Sequence, residues 1–195
     1  VPGLTASAAA VASGGGSSFF VIDPVASASG SYKMCWCRPS ASFRACTRTD
    51  DFTAEAGDLV IVAPAADHLR RCSRGQQCSI LDLEGFGLEQ GDLVRVMSRC
   101  PTAPNPLIAR EDIPALADDF FVRGWPNYGL SLPAEGGGRK ISWGVAPVWT
   151  DAGRYALCWC MASIGGCDRP IDFFVRLGDL VLAGPLPGQR FSAVV

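Results

Sequence analysis

The sequence predicts an all-β fold, arranged as tandem β-sandwiches stapled by disulfides. Three observations carry that expectation. Short apolar runs bounded by Gly, Pro, Asp or Ser recur along all 195 residues. A passage with a distinctive cysteine pattern occurs twice. Nine cysteines fall into three groups, Cys35/Cys37/Cys46, Cys72/Cys78/Cys100 and Cys158/Cys160/Cys167, of which the first and third are copies.

In chain order, the expected strands are 19–22, 32–37, 59–62, 78–81, 93–97, 120–122, 141–143, 155–160, 173–175 and 180–182. Each combines β-branched or aromatic residues with turn formers at its ends, the pattern of a sandwich rather than of a helical domain. Helical character is confined to 6–12 and 113–119, and segments this short do not hold a helix without tertiary support.

The duplicated passage sets the domain organisation. Tyr32, Cys35, Trp36, Cys37, Cys46, Asp51, Phe52, Gly57, Asp58, Leu59, Val60 and Pro64 return as Tyr155, Cys158, Trp159, Cys160, Cys167, Asp172, Phe173, Gly178, Asp179, Leu180, Val181 and Pro185. The tyrosines are 123 residues apart and the prolines 121. Upstream, Gly14–Gly16 matches Gly136–Gly138 and Phe20 matches Trp143. Residues 64–125 have no counterpart earlier in the chain. Residues 1–64 therefore read as the C-terminal half of a repeat unit, 65–185 as a complete unit, and 186–195 as the start of the next or a linker. A phase with a first domain at 1–100 remains an alternative.

Composition excludes several function classes. Seventeen basic and nineteen acidic residues leave a formal charge of −2 without long runs of one sign, so no footprint for nucleic acid is present. No apolar stretch reaches the ~20 residues that span a bilayer. The Val1-Pro2-Gly3 start reads as a point within a processed or longer polypeptide. With a single histidine, His68, and no poised carboxylate pair, no catalytic residue is assigned and an enzyme is not expected. The glycine triplets precede strands rather than helices, so they read as flexible loops and not as phosphate cradles, and no cofactor is implied.

Nine cysteines in repeated positions point to an oxidising, extracellular or cell-surface setting and to disulfides. A thiolate metal site is the competing reading, but no Cys-x-x-Cys pair accompanies the lone histidine, and no metal ligand is assigned. In Cys35-Trp36-Cys37 and Cys158-Trp159-Cys160, strand alternation places the cysteines on one face and the tryptophan on the other. Six cysteines permit fifteen pairings. The spacing favours Cys37 with Cys46, Cys160 with Cys167 and Cys72 with Cys78, leaving Cys158 for Cys100 and Cys35 for a cysteine these 195 residues lack.

Gly57-Asp58, Gly91-Asp92 and Gly178-Asp179 each stand before an apolar run and read as β-turns with Asp accepting backbone hydrogen bonds. Calcium at unit junctions is the sharper alternative, without an Asp-x-Asp-x-Asp run behind it. Trp125 and Trp149 are the candidate platform for a glycan, while Trp143, at a strand position, reads as core.

Asp151-Ala152-Gly153-Arg154-Tyr155-Ala156-Leu157-Cys158 resembles the lead-in to strand F of immunoglobulin-like domains, where the tyrosine hydroxyl bonds back to the backbone at a sheet corner. The resemblance implies that Tyr155, and Tyr32 with it, are corner residues. Cys158 follows Tyr155 by three residues rather than two, which turns it to the opposite face from the usual strand-F cysteine. Gly85 to Leu88 with Gly91 to Val96 is similar to the early strands of the immunoglobulin-like domains of transcription factors, plexins and filamins.

Taken whole, Gly-x-Tyr-x-x-Cys-Trp-Cys followed by Cys, Asp-Phe, Gly-Asp-Leu-Val and Pro resembles a cysteine-rich tandem repeat of very large secreted or cell-surface proteins of dinoflagellates and related algae. That resemblance implies an extracellular array such as a filament, a surface coat or a flagellar hair (mastigoneme). Its expected partners are neighbouring units or further copies, with adhesion to glycans or proteins as the alternative. No Asn-x-Ser/Thr sequon occurs, so N-glycosylation is not expected.

Overall fold

The computed structural model describes residues 28–38, 46–66, 68–102, 120–164 and 166–185. The strand expected at 19–22, the Gly14–Gly16 loop, the segments 6–12 and 113–119, and residues 186–195 lie outside the described residues. The chain divides into two compact units, Val1–Ala63 and Pro64–Val195.

The first unit contains one antiparallel ladder, β1 (Gly30–Trp36) against β2 (Ala54–Ile61). Tyr32 pairs with Leu59, and the register slips between Met34 and Cys35, opposite Gly57 and Glu55. A 3₁₀ turn at Thr49–Asp51 leads into β2. It is held by the Asp51 carboxylate, which accepts from the Thr47 and Arg48 amides at 3.1 and 2.9 Å.

The second unit is built on a four-stranded sheet in the order β3, β8, β7, β5: His68–Ser73, Val175–Ala183, Gly153–Cys160 and Leu93–Met97. β8 runs antiparallel to β7 and parallel to β3, and β5 is antiparallel to β7. A second, two-stranded sheet pairs β4 (Ser79–Ile80) with β6 (Ile141–Ser142). Described helical turns are all short 3₁₀ pieces, so the all-β class holds. No helix among the described residues is long and apolar enough to cross a membrane.

Strand alternation explains why β7 is buried on both faces. Cross-strand pairing puts Val94 opposite Trp159 and Val96 opposite Leu157 on one face, with Arg95 opposite Cys158 and Met97 opposite Ala156 on the other. On the cysteine face, Met97, Ala156, Cys158 and Cys160 form a cluster with Phe120, Cys167 and Phe173. The tryptophan face holds the other large buried side chains of the sheet, so hydrophobic burial fixes the register from both sides.

Several boundaries differ from expectation. Val175 and the strand expected at 180–182 belong to one nine-residue strand, β8, while 173–174 precede it. Gly178-Asp179 is therefore not a turn. It lies in the strand beside a bulge between Arg176 and Gly178, and Gly57-Asp58 occupies the matching place in β2. Gly178 has φ +150°, and any side chain there would collide with the carbonyl of His68 on β3. β3 itself was missed because its Arg70 and Arg71 mask the alternation. The expected strand at 120–122 is reduced to a single bridge between Met97 and Phe121. Gly136–Gly138 is an ordered turn rather than a flexible loop: all three residues have φ between +60° and +81°, and a Cβ on Gly138 would lie 2.7 Å from the Glu89 amide nitrogen.

Candidate functional site

Eight of the nine cysteines form four bridges: Cys37–Cys46, Cys72–Cys78, Cys100–Cys158 and Cys160–Cys167. Cys35 is a free, exposed thiol. The short bridges close separations of 9, 6 and 7 residues, each worth about 2 to 3 kcal/mol on the chain-entropy account. Cys100–Cys158 spans 58 residues and is worth about 4 kcal/mol on the same account, tying the end of β5 to the centre of β7.

Both tyrosines act at corners. Tyr155 Oη donates to the Asp151 carbonyl at 2.6 Å, and Tyr32 Oη donates to the Ala28 carbonyl at 2.6 Å. Burial foremost, and the Asp151 charge after it, push the Tyr155 hydroxyl above its ordinary pKa. The Asp172 carboxylate accepts from the Arg169 amide at 2.8 Å, as Asp51 does from Arg48. The two copies thus share their local geometry down to single hydrogen bonds.

The three Gly-Asp pairs serve different ends. Asp92 is buried, and its carboxylate accepts from the amides of Glu89 at 3.0 Å and Ala162 at 3.2 Å. Asp179 pairs with Arg154 and Arg176, each at 2.6 Å. Asp58 pairs with Lys33 at 2.9 Å, and Lys33 also meets Glu55. Hydrogen bonds from Lys33 to Glu55 first and Asp58 second hold its ammonium above the ordinary lysine pKa. No group of three or more metal-ligating side chains occurs among the described residues. His68 sits in β3, where its Nδ1 lies 3.2 Å from the Arg70 guanidinium.

The two candidate tryptophans part company. Trp125 is 4% exposed and packs edge-to-face on Trp143 and Tyr155, with centroids 5.6 and 6.3 Å apart, so it is core and presents no face to a ligand. The glycan-platform expectation for Trp125 therefore fails, because packing against Trp143 and Tyr155 buries the ring. Trp149 is 62% exposed and rests on the Gly75 turn that Cys72–Cys78 braces. Trp143 is buried, and its indole donates to the Gly129 carbonyl at 2.7 Å.

A cleft of about 410 Å³ that sequence reasoning did not find lies beside β5, lined by Arg95, Phe121, Arg123, Asn127, Tyr128 and Leu130. Its floor is Arg95, whose guanidinium lies 4.9 Å from the Phe173 ring centroid and 5.7 Å from that of Phe121. Desolvation lowers the Arg95 pKa against the opposing pull of Asp172. Asn127 and Tyr128 have φ near +50°, which turns the Tyr128 ring out to solvent. Such a cleft combines cationic, amide and aromatic groups, a set that suits a polar ligand with an anionic substituent. Comparison with protein-family models, with curated proteins and with solved structures gives no match.

Proposed function

We propose that this chain is a non-catalytic structural segment of an extracellular array of immunoglobulin-like units, of the filament, coat or flagellar-hair kind. One observation carries the reading: the hairpins β1–β2 and β7–β8 repeat the same register, bulge, tyrosine corner, aspartate-held 3₁₀ turn and short cysteine loop. Independent coincidence of five such devices is far less economical than duplication of one unit. Four bridges in so small a chain suit an oxidising compartment and resist unfolding and proteolysis. Electron microscopy of the native assembly tests the reading: a periodic filament or coat is expected, and isolated particles would overturn it.

A second reading, an adhesive module, is favoured by the aromatic rings the second unit holds out to solvent, Trp149 and Tyr128, the latter at the mouth of the arginine-floored cleft. A glycan array probed with the wild type and with Trp149→Ala and Tyr128→Ala decides it. Binding lost in either variant supports adhesion, and no bound glycan leaves the scaffold reading.

A further inference from the structure

We infer that the β1–β2 hairpin is a docking template for a strand pair of the 64–102 type supplied from outside these 195 residues, and that Cys35 is the thiol that locks it. The inference rests on the repeat reading above and adds to it a partner, a register and a bond.

The template for docking is the second unit. There the same hairpin, β7–β8, has both outer edges filled: β3 lies parallel along β8, with Gly178 beside His68, and β5 lies antiparallel along β7, with Cys100 bonded to Cys158. In the first unit the equivalent edges belong to β2 and β1, which form a two-stranded sheet with no third strand among the described residues. The side chains record the difference. Leu157, Trp159 and Phe173 are 0, 3 and 0% exposed, whereas their equivalents Met34, Trp36 and Phe52 are 39, 49 and 36% exposed. In the complete unit Leu157 and Trp159 lie opposite Val96 and Val94 of β5, and Phe173 clusters with Met97.

Two further features fit one occupant. Gly57 matches Gly178, yet among the described residues only the Met34 methyl, at 3.7 Å, comes near where its Cβ would be. The place that His68 takes against Gly178 is held by no described residue at Gly57. β2 also carries the exposed carboxylates of Glu55 and Asp58, while β3 carries Arg70 and Arg71, so the charges complement. Strand addition along the outer sides of β1 and β2 supplies the affinity, and the apolar residues between them supply the register.

The covalent step is thiol–disulfide exchange. The incoming cysteine arrives as a mixed disulfide with a small thiol such as glutathione. The Cys35 thiolate attacks the protein-side sulfur of that bond, a new S–S bond forms, and glutathione leaves as a thiolate that takes up the proton Cys35 lost.

The test uses the full chain and a synthetic peptide of residues 64–102, with Cys72–Cys78 closed and Cys100 capped by glutathione. The expected product is one chain plus one peptide joined through Cys35 and Cys100 by peptide mapping. Amide exchange over 30–36 and 54–61 should slow by about tenfold or more. Cys35→Ser should keep the slowing and lose the bond. A peptide carrying Val94→Asp and Val96→Asp, which leaves the chain itself untouched, should lose both. Bond formation without slowing, slowing with the double-Asp peptide, or no slowing at all would each overturn the inference. Absence of slowing beside a periodic native assembly overturns the docking and leaves the array. Slowing without a periodic assembly overturns the array and leaves the docking.

Discussion

The Tyr155 hydroxyl illustrates how much a single hydrogen bond decides at a sheet corner. It fixes the path from Asp151 into β7 across four residues. Tyr155→Phe keeps the ring against Trp125 and removes the bond, so urea unfolding should show a loss of about 1 kcal/mol. The raised pKa adds a pH signature. The folded chain keeps the phenol proton to higher pH than the unfolded one, so stability is insensitive below the unfolded value and falls as pH rises through it. Wild-type stability should therefore decline in the pH window above the ordinary tyrosine value, and that part of the slope should vanish in Tyr155→Phe. At Gly178 the constraint is steric: Gly178→Val forces β3 away from β8, and a midpoint unchanged in urea would refute the close approach.

Among the elements, the bridges have unequal consequences. Cys100→Ser with Cys158→Ser opens a 58-residue link and should destabilise by about 4 kcal/mol. Cys160→Ser with Cys167→Ser opens a short loop and should cost about 2 kcal/mol. Chemical denaturation of the two double mutants checks the order, and equal midpoints would contradict it. Much of this level was legible beforehand. The Cys-Trp-Cys alternation placed Cys158 and Trp159 on opposite faces of β7, because a strand has a period of two whatever surrounds it. β3 was not legible, since a parallel edge strand carrying Arg70 and Arg71 lacks the apolar rhythm that marks a strand. Gly178 misled for a related reason: glycine signals a turn locally, and only the approach of His68 makes it a bulge within a strand.

For the molecule as a whole, the described strands of the two units differ in how much flanks them. β7 and β8 lie inside a four-stranded sheet covered on both faces, whereas β1 and β2 form a two-stranded ladder with exposed apolar side chains. Isolated hairpins are marginal in water, so native-state amide exchange should be at least about 100-fold faster in 30–36 and 54–61 than in 153–160 and 175–183. Equal protection would show that the first unit has a core of its own.

The sequence by itself determined the all-β class, the duplication, the corner tyrosines and the short cysteine loops. All of these follow from local geometry: strand alternation, turn chemistry and separations of a few residues that admit few partners. Tertiary structure alone decided the fate of Trp125, the parallel docking of β3, the role of Gly178 and the cleft over Arg95. Each depends on residues far apart in the chain approaching within van der Waals distance, and no pattern read along one strand contains that information.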